Sequence, residues 1–372
     1  MFQKNFIYQY APILSLSPAE MNAIEELPEK DKDLILPIVP IKGWVGSQLL
    51  ENSVPRLEKA IGKKRHWIAD IDSDFIKGKL NHNGEYPREV FYQVERLLDS
   101  NNGYENWFNF VKEHKQITPI VQLNDLTQLN EQLKKLSSLE RGVACRFNLS
   151  QIQKNMHSDI ATTLKKLEIT DVFFIFDYEQ VTNTQTQFAS KMGEEMEKVN
   201  LIIPSIKVAI SCSSFPLNFG GYTKGENPIV ERLIFNRIRG EYPKLNLVYS
   251  DRGSARAEKI MGGGGTPAPR IDYPLQNDWR FIRYNIEDEL STKSDRDGAY
   301  AELAKQIIKA DYWEKELHLW GTQVIELTAK GEMLGINNPA RSTAVRINIH
   351  LYKQLHYDTP LAEIDTDEDW ID

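Results

Sequence analysis

Asp171-Val172-Phe173-Phe174-Ile175-Phe176-Asp177 sets five apolar residues in a row between two aspartates. A strand with one wet face would alternate apolar and polar residues. An unbroken run this short, rich in aromatic and β-branched side chains, suits a strand buried on both faces of a parallel sheet. The flanking segments 150–167 and 184–199 space their apolar residues at helical intervals. A buried strand between two helices is the repeating unit of a parallel α/β fold.

The same unit recurs along the chain. Further apolar runs lie at 6–14 (FIYQYAPIL), 35–42 (ILPIVPIK), 66–72 (HWIADID) and 117–122 (ITPIVQ). Others lie at 142–148 (GVACRFN), 206–213 (IKVAISCS) and 245–251 (LNLVYSD). Helical spacing appears at 18–27, 54–61, 90–110 (broken by Asn-Asn-Gly), 126–136 and 230–242. Eight such units predict an α/β fold in which a parallel sheet closes on itself, a (β/α)8 TIM-like barrel; an open doubly wound sheet is the alternative. After the eighth strand, 270–274 and 279–285 read as a β-hairpin around a Gln-Asn-Asp turn, an excursion at the barrel rim. C-terminal helices at 300–313 and 319–329, with a helix or helix-strand mixture at 344–355, are expected to cover the barrel. Residues 1–361 read as one domain, followed by an acidic tail, 362–372.

Composition narrows the function classes. Hydrophobic residues at 41% and charged residues at 26% are ordinary for a globular protein and exclude a disordered chain. The formal net charge is −8, and six acids without a Lys or Arg fall in AEIDTDEDWID at 362–372, so the body is nearly neutral. Duplex nucleic acid is therefore not a favoured partner. The two cysteines, Cys145 and Cys212, each sit inside an apolar run and build neither a disulfide framework nor a metal motif. The opening MFQKNFIYQYAPIL lacks the long apolar stretch of a signal peptide, and no 18 apolar residues run together. A cytoplasmic protein is expected.

In a barrel of this kind, reacting groups sit where the strands end and the following loops begin. Those positions hold Lys42, Asp70, Asp72, Gln122, Arg146, Asn148, Asp177, Glu179, Ser213, Ser214, Asp251 and Arg252. Asp70 with Asp72, and Asp177 with Glu179, stand two apart and point the same way along a strand. Such pairs can hold a divalent metal, or divide into acid and base; a strand-end Asp can equally cap the next helix. Asp72, Asp177 and Asp251 with Arg283 are the candidate catalytic set. Lys42, Arg146, Asn148, Ser213, Ser214 and Arg252 are the candidate ligand-binding set.

Arg256 and the tetraglycine at 262–265 follow the eighth strand, where phosphate-binding barrels often place their anion site. A P-loop is excluded, because no Lys-Ser/Thr follows the glycines. His66 and His350 have no partner at metal-ligand spacing and read as core or surface histidines. No serine stands in a G-x-S-x-G setting, and neither cysteine opens a helix. The tail's Trp370 and Ile371 among acids could dock on a partner protein, although a solubilising tail is the plainer reading.

Several short motifs, spread over residues 8 to 355, resemble the beta-protein family, which is named for a protein of T-even bacteriophages and occurs widely in bacteria. They are the opening Tyr-x-Pro with Ala19-Glu20 and Ala23, Cys212-Ser213-Ser214-Phe215-Pro216, Tyr249-Ser250-Asp251-x-Gly253 and Trp279-x-x-x-Arg283. Trp313…Gly321…Ile325 and Ile347-Asn348-x-His350-Leu351 complete the set. The chain departs from the family at Arg252, where a tyrosine is more usual. The resemblance implies a setting in phages and in mobile or antiviral-defence loci, with no particular reaction. Two functions stand open: an enzyme acting on a phosphorylated or nucleotide-like substrate at the barrel mouth, or a non-catalytic scaffold that binds a protein partner through its tail or hairpin.

Overall fold

The computed structural model describes residue 2 and residues 6–150, 153, 155–204, 206–219, 221–257, 267–285 and 292–360. The tetraglycine and the acidic tail lie outside the described residues. Strands and helices alternate, as the apolar runs imply. β1 (Ile38–Ile41), β2 (Trp67–Ile71) and β3 (Ile117–Pro119) form one parallel sheet in that order. β4 (Val143–Asn148), β5 (Val172–Gln180), β6 (Lys207–Ser213) and β8 (Asn246–Tyr249) form a second, also parallel. β7 (Lys224–Pro228) lies between β6 and β8 in sequence but belongs to neither sheet.

Backbone hydrogen bonds run between the two sheets at both ends. Val121 N–H donates to Ala144 O at 2.8 Å, joining the end of β3 to β4. The opening segment lies between β1 and β8: Ile38 N–H donates to Pro12 O at 2.8 Å, and Ala11 N–H to Tyr249 O at 2.8 Å. Residues 10–13 make parallel bridges on both sides, Tyr10 with Ile35 and Tyr249, and Ile13 with Ile38. Ile13, Ile38, Ile68, Ile120, Ala144, Ile175, Ala209 and Val248 belong to one buried cluster that draws on every one of these parallel segments. Burial on this side, with helices packed on the other, explains why the strands read as continuous apolar runs.

The hairpin is also present. β9 (Arg270–Pro274) and β10 (Asp278–Arg283) pair antiparallel, with Trp279 opposite Pro274 and Arg283 opposite Arg270. A third strand that the sequence reading did not contain, β7, pairs with the outer edge of β10. Its sequence, KGENP, carries no apolar residue and is mostly exposed, so hydrophobic periodicity gave no signal. Gly225 is needed there, since a Cβ would lie 2.8 Å from the Phe281 ring. Trp279 and Phe281 are buried with Phe215, Phe219 and Ile229, so the hairpin's apolar side chains are packed within the molecule.

Helices Lys293–Ile308, Trp320–Lys330 and Pro339–Leu355 share a core with Ile271 and Tyr273 of β9. Two of them start earlier than apolar spacing suggests. Thr292 and Asp295 make a capping box, and Asn338 caps Arg341 N–H ahead of Pro339. Both signals are polar and therefore invisible to a hydrophobic pattern. Among the described residues no helix is long and apolar enough to cross a membrane.

Candidate functional site

The polar residues at the carboxyl ends of the parallel strands meet in ion pairs. Asp177, at the end of the apolar run of β5, is wholly buried. Its Oδ2 accepts from Arg146 Nη2 at 2.6 Å and from Arg252 Nη2 at 2.7 Å, and its Oδ1 from Glu179 N–H at 3.0 Å. Burial alone would raise the Asp177 carboxyl; the guanidiniums of Arg252 and Arg146 outweigh it and hold the group below its ordinary value. Arg146 reaches across to Asp70 Oδ2 at 2.9 Å, and Gln122 Nε2 donates to Asp70 Oδ1 at 3.2 Å. β2, β4, β5 and the turn after β8 are tied together by one charged network.

The paired carboxylates do not converge. Asp70 faces Arg146, whereas Asp72 pairs with Lys42 at 3.3 Å, because β2 ends at Ile71 and strand alternation stops there. Glu179 turns away from Asp177 and accepts from Asn148 Nδ2 and Ser150 Oγ, each at 2.7 Å. Glu179 holds a left-handed backbone, φ 53°, uncommon for a residue with a side chain. Among the described residues no group of three or more His, Cys, Asp or Glu is placed to hold a metal ion.

Asp251 is also wholly buried, two residues beyond β8. Tyr10 O–H and Tyr249 O–H both donate to it, the latter at 2.9 Å, and Gly253 N–H donates at 2.7 Å. His350 Nε2 lies 2.7 Å from Asp251 Oδ2, and Trp279 Nε1 lies 3.3 Å from His350 Nδ1. An indole N–H can only donate, so His350 Nδ1 accepts and Nε2 carries the proton given to Asp251. Burial raises the Asp251 carboxyl, but His350, Tyr10 and Gly253 N–H bring it below its ordinary value. This set joins the opening segment, β8, the hairpin and the last helix. Gly253 has φ +58°, and a Cβ there would lie 2.9 Å from Leu14. Gly253→Ala is expected to cost about 1–3 kcal/mol of unfolding free energy, read by urea denaturation; an unchanged midpoint would show that the loop relaxes freely.

The remaining candidates have mixed placements. Ser213 Oγ donates to Ala255 O at 2.7 Å, and Ser214 donates to buried Glu231 through both its hydroxyl and its N–H. Both serines thus anchor loops. Arg252, the departure from the family pattern, is an ion-pair partner of Asp177, a contact no tyrosine could supply. Arg283 stands on β10 opposite Arg270, and among the described residues it makes no ion pair with Asp72, Asp177 or Asp251.

Beside this network lies a cavity of about 350 Å³ that neither candidate set touches; Arg256, noted in the sequence only as following the eighth strand, lines it. Its walls come from the loop after β6 (Phe215), the loop after β8 (Ala255, Arg256), β9 (Arg270, Asp272) and the last helix (Arg346). Asp272 is its one carboxylate: Oδ2 accepts from Arg346 Nη1 at 2.8 Å and from Arg270 Nη2 at 3.0 Å. Arg346 and Arg270 lie over the Phe215 and Phe219 rings, at 4.0 and 3.5 Å from the centroids. Burial brings the Arg346 guanidinium down to about 10; Asp272 opposes the fall, and Arg270 and Arg256 add to it. Three guanidiniums thus face one carboxylate. Arg270 and Asp272 alternate on one strand, which is the sequence signal that marks this site; Arg346 lies in a helix of mixed polar and apolar residues whose near-complete burial only the fold reveals.

Fold and site together define an α/β protein of alternating strands and helices, with an ionic network at its strand ends and an arginine-lined cavity beside it. The chain belongs to the Beta protein family, whose model matches residues 10–356. It is similar to Protein beta of Enterobacteria phage P4, 26% identical over 364 residues that cover 94% of this chain and 93% of the relative. The family resemblance read from the motifs holds, with phage P4 replacing T-even phages as the source of the relative.

Proposed function

We propose that this chain is a single (β/α)8 barrel that binds a phosphorylated or nucleotide-like ligand in the arginine-lined cavity. The bridges that residues 10–13 make to β1 and β8, and the bond from Val121 to Ala144, support closure into one ring of eight parallel segments. On that count Phe215 follows the seventh segment and Arg256 the eighth, the two loops that commonly bind phosphate in barrels. The observation that carries the reading is the surplus of guanidinium over carboxylate around a cavity of ligand size. Planar guanidiniums suit phosphate oxygens through paired N–H donors.

The strand-end network serves this site by fixing the loops that frame it, through Ser213 to Ala255 and Arg252 to Asp177. One observation favours the second reading, a partner-binding scaffold in a phage or anti-phage assembly. The strand-end acids are consumed in ion pairs, and exposed Met333 and Leu334 line a separate surface groove with Trp44.

Thermal unfolding in the presence of inorganic phosphate, AMP and ATP tests the ligand reading. A probe at a hundred times its dissociation constant is expected to stabilise the protein by about 2.7 kcal/mol. Arg256→Gln, which leaves both Asp272 pairs intact, is expected to abolish that shift while keeping the ligand-free unfolding temperature. A folded protein that no phosphorylated probe stabilises would leave the scaffold as the better reading.

A further inference from the structure

Taking the arginine cavity as a phosphate site, we infer that its ligand is a phosphate monoester bound as the free dianion, without a metal ion. Charge is the first argument. Arg256, Arg270 and Arg346 carry three positive charges and Asp272 one negative charge, so the cavity lacks two negative charges. Uncompensated charge in a desolvated wall is costly, and a ligand that supplies the missing charge offsets part of that cost. A monoester carries about −1.5 to −2 at neutral pH, because its second ionisation lies near pH ~6. A diester carries a single negative charge and leaves half of the deficit.

The donor set supplies the second argument. A phosphate that arrives with a divalent ion needs free carboxylate oxygens to share that ion. The cavity's one carboxylate is already paired with two guanidiniums: Asp272 Oδ2 accepts from both Arg346 and Arg270, and Oδ1, which accepts no hydrogen bond, lies 2.8 Å from Arg270 Nε. Size is the third. At about 350 Å³ the cavity stands at the small end of ligand pockets, which run from roughly 300 to 1,000 Å³. Phe215, Pro267, Ala268 and Tyr300 supply an apolar wall for the organic part of a small ester.

The pH dependence has a definite sign. The charged and titratable groups about the cavity, among the described residues, are Arg256, Arg270, Arg346, Asp272, Tyr300, Arg296 (which donates to Pro267 O at 2.6 Å and touches Tyr300) and, behind Arg346, Glu20. Arg346 stays charged and Asp272 stays ionised between pH 5 and 8, since Arg346 falls only to about 10 and Asp272 lies below its ordinary value. Burial raises the Tyr300 hydroxyl further above its usual range. Burial also raises the Glu20 carboxyl, and its ionisation with rising pH would add negative charge near Arg346 and weaken anion binding. Binding that tightens with rising pH therefore reports the ligand's own second ionisation.

Calorimetric titration of the full chain with AMP, 3′,5′-cyclic AMP and inorganic phosphate, at pH 5 to 8, with EDTA or with Mg²⁺, tests the inference. AMP shares its base and sugar with the cyclic diester and differs in the phosphate. AMP affinity is expected to rise about tenfold from pH 5 to pH 7, following the dianion fraction. It should be the same in EDTA and Mg²⁺, be at least tenfold tighter than for the cyclic diester, and be lost in Arg256→Gln. Should AMP prove too large, inorganic phosphate alone binding with the same rise through its own second ionisation supports the same conclusion. Equal, pH-flat binding of AMP and the cyclic diester, or binding that needs Mg²⁺, overturns the dianion while leaving the phosphate site standing. Binding of no probe by the folded protein removes both.

Discussion

Asp251→Ala is expected to lower the unfolding free energy by about 3–5 kcal/mol, the usual cost of removing one member of a buried charged network. The substitution leaves four donors without their acceptor in a dry interior: Tyr10 O–H, Tyr249 O–H, Gly253 N–H and His350 Nε2–H. Each orphaned donor costs about 1–3 kcal/mol before relaxation. The loss should be global, because Asp251 joins the opening segment, the end of β8 and the last helix, which are far apart in sequence. Urea unfolding followed by far-ultraviolet circular dichroism reads it, and a midpoint close to that of the parent would show that the network is dispensable. Asp251→Asn keeps the shape and removes the charge, so its loss should be smaller. If Asp251→Asn left stability unchanged and abolished a ligand response, the residue would belong to the binding machinery.

The second large effect is a pH dependence of the opposite kind, arising from a carboxyl that stays neutral. Glu231 is 1% exposed, its Oε2 accepts from Ser214, and its Oε1 has no partner among the described residues. Burial, aided by the nearby Asp251 charge, pushes its pKa from 4.5 up to about 8. The folded chain therefore keeps a proton that the unfolded chain has released. The stabilising contribution is complete below about pH 4.5 and is lost as pH rises through about 8. The slope between those limits is on the order of 1.4 kcal/mol per pH unit. Glu231→Gln fixes the neutral form. Its stability relative to the parent is expected to climb between pH 5 and 8 and to level off above. Parallel stability curves for the two proteins would mean that Glu231 is ionised in the fold at neutral pH.

Asp251 and Glu231 also show how far the sequence carries the site. Asp251 could be singled out because it follows an apolar strand in a position where α/β proteins place polar groups. Its role as an acceptor for Tyr10 and His350 depends on residues 241 and 99 positions away, and no local pattern encodes such a meeting. Glu231 carries no sequence signal at all, since an acid at the start of a helix is ordinary. Only the packing of the β6 turn against that helix takes it out of water.

The amino-acid sequence by itself determined the alternation of buried strands and helices, because a strand covered on both faces must be apolar throughout and that is written locally. It also determined the polar character of the strand ends and the position of the hairpin. The tertiary structure decided which charges meet: Arg146 bridges Asp70 and Asp177, and Asp72 goes to Lys42. It decided that β7, without an apolar residue, becomes a strand by pairing with β10. It decided, finally, that Arg256, Arg270 and Arg346, from three separate stretches of chain, surround one aspartate. The physical reason is common to all three: apolar burial is a property of each residue and its neighbours in sequence, whereas the pairing of charges and of strand edges is fixed only when distant segments are brought within a few ångströms.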